Sequence, residues 1–243
     1  MRTLLYLLLV LPLLGVAQEN DNYLLNMSEI TVKPGQNSQF IEGVMSWKKC
    51  YKDNEGEFKW SMWKRVQGKG TVYTMTSRMA NWAEMDESND EAGKKCRMKV
   101  VDLIIPHVES VEYNIARRMP DVSKSNSNLS NDTKLVWVYN VKVDNYDSFM
   151  ETVKEVESTI KKAEGDTRGT WYSVIGGGPH VSDYFVTVPF KNFAALDEDR
   201  DGVWKVYEKE KGKSKADAIK DKFRSAVSKD WSYMYSLMDD LSY

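Results

Sequence analysis

Shifted by 111 positions against itself, without a gap, the 243-residue chain lays residues 60–87 on residues 171–198. Trp60/Trp171, Tyr73/Tyr184, Thr76/Thr187, Asn81/Asn192, Trp82/Phe193 and Asp86/Asp197 fall together. Each copy reads as strand, turn, strand, then an aromatic and acidic lead into a helix. A unit built twice is therefore the main constraint on the fold. Eight tryptophans, split four and four between the copies, fit a duplicated core better than one specialised aromatic site.

The elements around this repeat follow from hydrophobic periodicity. Residues 22–32 alternate and stop at Lys33-Pro34-Gly35, a strand ended by a turn. Phe40, Val44, Trp47 and Tyr51 step by four, three and four, which is one face of a helix. Phe149, Val153, Val156 and Ile160 repeat that stripe after a strand over 135–143, with Asp144 or Asn145 as N-cap. Strand two is predicted over 57–66 and 170–175, and strand three over 71–77 and 183–188. Their Gly-rich connections, 67–70 and 176–180, suit hairpin loops because Gly tolerates positive φ. A second helix carries Val100, Ile104 and Val108 in one copy and Ile219, Phe223 and Val227 in the other. Alternation at Val111/Tyr113/Ile115 and Trp231/Tyr233/Tyr235 predicts a closing strand. Met234, Leu237, Met238 and Leu241 also fit a helical stripe, which is the alternative there. The endings at 119–123 and 238–242 lie 119 positions apart, so the second copy has gained eight residues between Glu198 and Ile219.

Each copy is strand-helix-strand-strand-helix-strand, the ferredoxin-like order. The predicted class is α+β, with halves over 23–123 and 134–243 and a Ser/Asn-rich linker over 124–133. In element order and duplication, over roughly 23–243, the chain resembles the dimeric α/β barrel superfamily. Its members include antibiotic-biosynthesis-type monooxygenases, haem-degrading enzymes and stress-responsive proteins. In that family two such sheets pack face to face, usually from two subunits. The resemblance implies an intramolecular barrel here, a pseudo-dimer within a monomeric chain. The haem-degrading branch needs Asn, Trp and His together, with His on the second helix. The first copy has His107 but Glu29 where the second has Asn140, and the second has Ala226 in place of His107. Neither copy carries the set, so it is not transferred.

Residues 1–17 read as a cleaved signal peptide: Arg2, an apolar run over 4–14, and Gly15-Val16-Ala17 before the cut. The run is too short to span a bilayer. The expectation is an exported protein, periplasmic or secreted, with no membrane span. With a net charge of −2 and both signs mixed along the chain, no basic face for nucleic acid is implied. In the ferredoxin-like topology, Cys50 ends the first helix and Cys96 begins the second at the same sheet edge. They are predicted to form a disulfide, which an oxidising compartment favours. The alternative is two separate buried thiols.

Asp197, Asp199, Asp201, Gly202 and Glu208 satisfy the pattern of a calcium-binding loop, with carboxylates at alternate positions and a closing Glu. The first copy keeps acidic residues there without the Gly or the closing Glu. The competing reading is an acidic cap that complements a helix dipole. Ca2+ is thus the one cofactor suggested, in a structural role. His180 reads as an exposed turn residue and His107 as a half-buried helix-end imidazole. Gly176-Gly177-Gly178 joins strands rather than opening a helix, so it is no phosphate cradle. Asn26, Asn128 and Asn131 are glycosylation sequons only in a eukaryotic source.

Three functional readings follow. The first is non-catalytic binding of a small hydrophobic or aromatic ligand, in a pocket between sheet and helices. The second, from the resemblance, is a cofactor-independent monooxygenase-like enzyme acting on an aromatic substrate. The third is a calcium-stabilised interaction module. A deep pocket with Trp and an Asn or His speaks for the enzyme, and a filled barrel for the module.

Overall fold

The computed structural model of the chain describes residues 22–86, 89–126 and 132–243. Residues 1–17, with the expected signal peptide, and the sequons at Asn128 and Asn131 lie outside the described residues. The first half comprises β1 (Leu24–Val32), α1 (Asn37–Asp53), β2 (Ser61–Arg65), β3 (Thr71–Met79), α2 (Glu91–Leu103) and β4 (Val108–Arg118). The second comprises β5 (Leu135–Val143), α3 (Tyr146–Glu164), β6 (Thr170–Ile175), β7 (Tyr184–Phe190), α4 (Val203–Lys211), α5 (Lys213–Ala226) and β8 (Val227–Leu237). The antiparallel sheets β4-β1-β3-β2 and β8-β5-β7-β6 join at both margins, β2 to β8 and β4 to β6. The result is a closed eight-stranded barrel, the intramolecular dimeric α/β barrel that the duplication implies. Closure removes the free strand edges that would otherwise pair with a second chain.

The helical stripes are buried as their spacing requires. Phe40, Val44 and Tyr51 of α1 are buried, and so are Phe149, Val153, Val156 and Ile160 of α3. Each large apolar side chain taken out of water contributes about 1.5–3 kcal/mol. Outward-facing strand residues complete the two outer cores. Met62 and Tyr73 pack under α1 and α2, while Val141 and Trp171 pack against α3. Asn145 is the N-cap of α3, its side chain accepting from Ser148 N at 3.0 Å. Cys50 and Cys96 are disulfide-bonded, with Cα atoms 5.9 Å apart, joining the end of α1 to α2.

Of three expectations, two need correction and one is filled in. Val108 and Val227 open β4 and β8 instead of ending the second helices. The eight additional residues of the second copy are accommodated by a separate helix, α4, ahead of α5.

The third concerns strand two, which begins at Ser61, not at residue 57. It also does not keep the 111-residue offset. Ser61 stands opposite Thr76, whereas Thr170 stands opposite Thr187, so the offset there is 109. The structural counterpart of Trp171 is therefore Met62. Equivalent seryl hydroxyls confirm it: Met62 N donates to Ser242 Oγ and Trp171 N to Ser123 Oγ, both at 2.8 Å. The β6–β7 hairpin is two residues longer than β2–β3, and a two-residue slip leaves every side chain on its own face. The gap-free match thus kept the facing right and the register wrong.

Candidate functional site

Side chains alternate across a strand, so each sheet turns one row toward its helices and one toward the barrel axis. The inward rows do not meet. They enclose a cavity of about 1400 Å³ that lies between the two sheets, not between sheet and helices as the sequence suggests. The helix side is filled by the outer cores just described.

The two walls differ in chemistry. From the first sheet come Glu29 (β1), Arg65 (β2), Thr74 and Arg78 (β3), and Glu112 and Asn114 (β4). The second sheet contributes Val138 (β5), Tyr172 (β6), Phe185 (β7), and Trp231, Tyr233 and Tyr235 (β8). Superposed by sheet register, Thr74 corresponds to Phe185, Arg65 to Val174, and Ala116 to Tyr235.

Arg65 organises the charged wall. Its side chain is only 9 % exposed, and its Nη1 lies 3.9 Å from Glu29 Oε1. Nη2 donates to the Lys69 carbonyl, and the guanidinium carbon sits 4.6 Å from the Tyr233 ring centroid. Gly68, at φ 105°, lets the β2–β3 hairpin close over this stack; a Cβ there would meet the Tyr233 ring at 3.1 Å. Glu29 and Glu112 are directly opposed on β1 and β4. Burial raises the Glu29 pKa above its ordinary range and Glu112 raises it further, while Arg65 and the Tyr235 hydroxyl oppose the shift. Burial, then Glu29, likewise holds the Tyr235 phenol well above its usual value.

Elsewhere the interior is apolar and hydrogen-bonded at its margins. Tyr172 stacks on Phe185 with centroids 4.8 Å apart, and its hydroxyl lies 2.8 Å from that of Tyr23. Trp63 Nε1 donates to Thr76 Oγ1 at 3.1 Å. The Arg78 guanidinium covers the Tyr23 ring at 4.3 Å.

The predicted site residues are dispersed. His180 is 72 % exposed in the β6–β7 loop, as expected, but its Nε2 pairs with Glu112 Oε1 at 2.9 Å and so stands at the cavity mouth. Asn140 lines the cavity, accepting from Ser182 Oγ at 3.2 Å. His107 ends a short 3-10 turn, its Nδ1 2.9 Å from Gln36 Oε1.

The calcium-pattern residues are not drawn together. Asp197 closes a 3-10 turn, Asp201 pairs with Lys209, and Glu208 on α4 pairs with Lys205 at 3.2 Å. Gly202 sits at φ −64°, so the left-handed freedom of glycine is not used there. Among the described residues, no group of three or more His, Cys, Asp or Glu is arranged to hold a metal ion. The capping alternative holds in the first half, where Asp90 accepts from Gly93 N at 2.8 Å, but no side chain caps α4.

Sequence reasoning missed Glu29, Glu112 and Tyr235 as a cavity group. The available signal was a charged residue in mid-strand, at Glu29, where the other copy has Asn140.

No protein-family model matches this chain, and no curated protein matches it in sequence. Its fold has solved counterparts. A Fusobacterium nucleatum protein described as a putative monooxygenase superposes with a TM-score of 0.52 at 12 % identity, covering 89 % of this chain and 93 % of that one. A mutant chlorite dismutase from Candidatus Nitrospira defluvii, in complex with cyanide, gives 0.52 at 7 % identity, over 92 % and 93 %. An anthrone oxidase-like protein gives 0.50 at 8 %, over 89 % and 91 %. At such identities the likeness establishes the dimeric α/β barrel fold and nothing finer.

Proposed function

We infer that this protein binds a small apolar or aromatic molecule inside its barrel. The observation that carries the reading is the cavity of about 1400 Å³ with one aromatic wall. That is more than the roughly 300–1,000 Å³ of ordinary ligand sites. Among the fold relatives, one is described as a putative monooxygenase and one is a chlorite dismutase in complex with cyanide, which is in keeping with a small-molecule role. The leader-like residues 1–17 and the Cys50–Cys96 bridge support a role outside the cytoplasm. Both sheet margins are paired within one chain, which supports a monomeric working form.

Native mass spectrometry of protein from its own host tests the reading. Wild type is expected to retain a co-purified molecule, and Val138→Trp, which fills the barrel from β5, to lose it. Wild type that carries nothing and takes up no naphthalene-type probe sinks the idea.

A second reading, the monooxygenase-like enzyme, is favoured by Trp63, Trp231 and Asn140, which line the same cavity as Glu29, a carboxylate of raised proton affinity. Oxygen uptake on adding a hydroxyaromatic compound, lost in Glu29→Gln, would support it. The open cavity separates both readings from the calcium-stabilised module, for which a filled barrel is the expectation.

A further inference from the structure

The charges in the barrel are nearly all on one side. Of the acidic and basic strand residues that line the cavity, Glu29, Arg65, Arg78 and Glu112 belong to the first half, and only Lys229, at the rim, to the second. They are not equally available. Arg65 is 9 % exposed, laid on Tyr233, covered by Gly68 and tied to the Lys69 carbonyl. Arg78 covers Tyr23, and Lys229 lies 5.2 Å over the Trp231 ring. The Glu29 and Glu112 side chains, by contrast, are 40 % and 42 % exposed. The accessible charge in this layer is therefore a pair of carboxylates, held opposite each other on neighbouring strands where like charges repel. Arg65 relieves one from behind and His180 the other from the mouth. In the closed strand order, β5 and β8 stand opposite β1 and β4. Glu112 thus looks across at Trp231 and Tyr233, apolar ring surface of which one face of each already holds Lys229 or Arg65.

Taking the barrel as a ligand site, we propose that its ligand is a protonated amine with an apolar or aromatic body. The ammonium sits between Glu29 and Glu112, and the body lies against Val138, Tyr172 and Phe185. An anionic head group is disfavoured because Arg65, the cation in this layer, is already paired with Glu29, laid on Tyr233 and tied to the Lys69 carbonyl.

Calorimetry on the mature protein with naphthylethylamine, naphthylethanol and naphthylacetate tests this, since the three share a body and differ in head group. The amine is expected to bind roughly tenfold tighter than the alcohol, the size of one modest charge contact. The acetate is expected to bind more weakly than the alcohol. In the Glu29→Gln, Glu112→Gln double variant the amine should lose its preference over the alcohol. Alcohol binding with no amine preference, or acetate binding tightest, overturns the amine inference and leaves the barrel-ligand reading standing. Failure of all three probes to bind overturns both.

Discussion

In the first half a covalent bridge holds the outer layer and the inner face is charged. In the second, side-chain pairs hold the outer layer and the inner face is aromatic. Cys50–Cys96 joins α1 to α2. Across α3, α4 and α5 the corresponding work falls to the Tyr207 hydroxyl donating to Glu155, to Lys222 paired with Glu151 at 2.6 Å, and to Glu164, which receives both Arg168 and Arg200. The contrast extends to indoles on the helix side of each sheet. Trp60 Nε1 donates to the Leu241 carbonyl, whereas Trp171 Nε1 donates to the Glu157 carboxyl, both at 2.8 Å. Backbone pairing is what the two copies share. The side chains that face the cavity differ between the copies, as Thr74 against Phe185 and Arg65 against Val174 show.

The bridge gives the largest expected break in this comparison. Replacing both cysteines by serine removes a cross-link spanning 46 positions, worth about 4 kcal/mol in the chain-entropy treatment. Denaturant unfolding should register that loss. Hydrogen exchange should accelerate mainly in α1 and α2; equal acceleration in α3 would mean that the two outer layers are not held independently.

Glu157 supplies the next effect, confined to the second half. Burial pushes its carboxyl up to about 7, against the Trp171 hydrogen bond and Arg168. A carboxyl raised in the folded state keeps its proton where the unfolded chain has lost it. Stability should therefore fall as pH rises from about 4.5 to about 7, by on the order of 2–3 kcal/mol. Glu157→Gln should flatten that slope. A wild-type slope unchanged in the variant would show that the carboxyl ionises freely.

On the charged wall the same sign applies on a smaller scale. Glu29 also has a raised pKa, chiefly from burial, but it opens to cavity water that screens it. Glu29→Gln should leave stability at acid pH unchanged and raise it above neutrality by no more than about 0.5 kcal/mol. A loss of stability instead would mean that Glu29 holds Arg65 in place and that the wall is structural.

Much of this architecture was legible in the sequence, for a definite reason. Helical stripes such as Phe40/Val44/Trp47/Tyr51 and strand alternations such as Tyr233/Tyr235 are local patterns, and the second copy repeated them. The strand-two register was not legible, because a hairpin longer by two residues preserves the facing of Trp171 and lets Trp60 pass for its partner. The cavity was hidden for a related reason. Alternation says that a strand has two faces, not which of them is filled. Glu29, Arg65, Glu112 and Tyr235 lie on four strands, and only the closed order β4-β1-β3-β2-β8 brings them to one layer. Residues 203–208 fit the end of a metal loop by pattern alone, whereas Val206 and Tyr207 are core residues of a helix that the first half lacks.

That helix sets the smallest and last test. In the first half Asp86 closes a 3-10 turn as Asp197 does in the second, and Asp90 caps α2. In the second half Arg200 reaches Glu164 at 2.6 Å, and Asp201 and Glu208 are already engaged by Lys209 and Lys205. A calcium ion would have to displace both lysines and turn Gly202 out of its present backbone conformation. Surface pairs of this kind contribute about 0–1 kcal/mol each, so Arg200→Ala should cost only a few tenths. Calorimetric titration to millimolar calcium should give no heat in either wild type or Asp199→Ala. Heat in wild type that disappears in Asp199→Ala would establish the loop as a calcium site, and with it a second device, besides the side-chain pairs, by which the second half replaces the disulfide of the first.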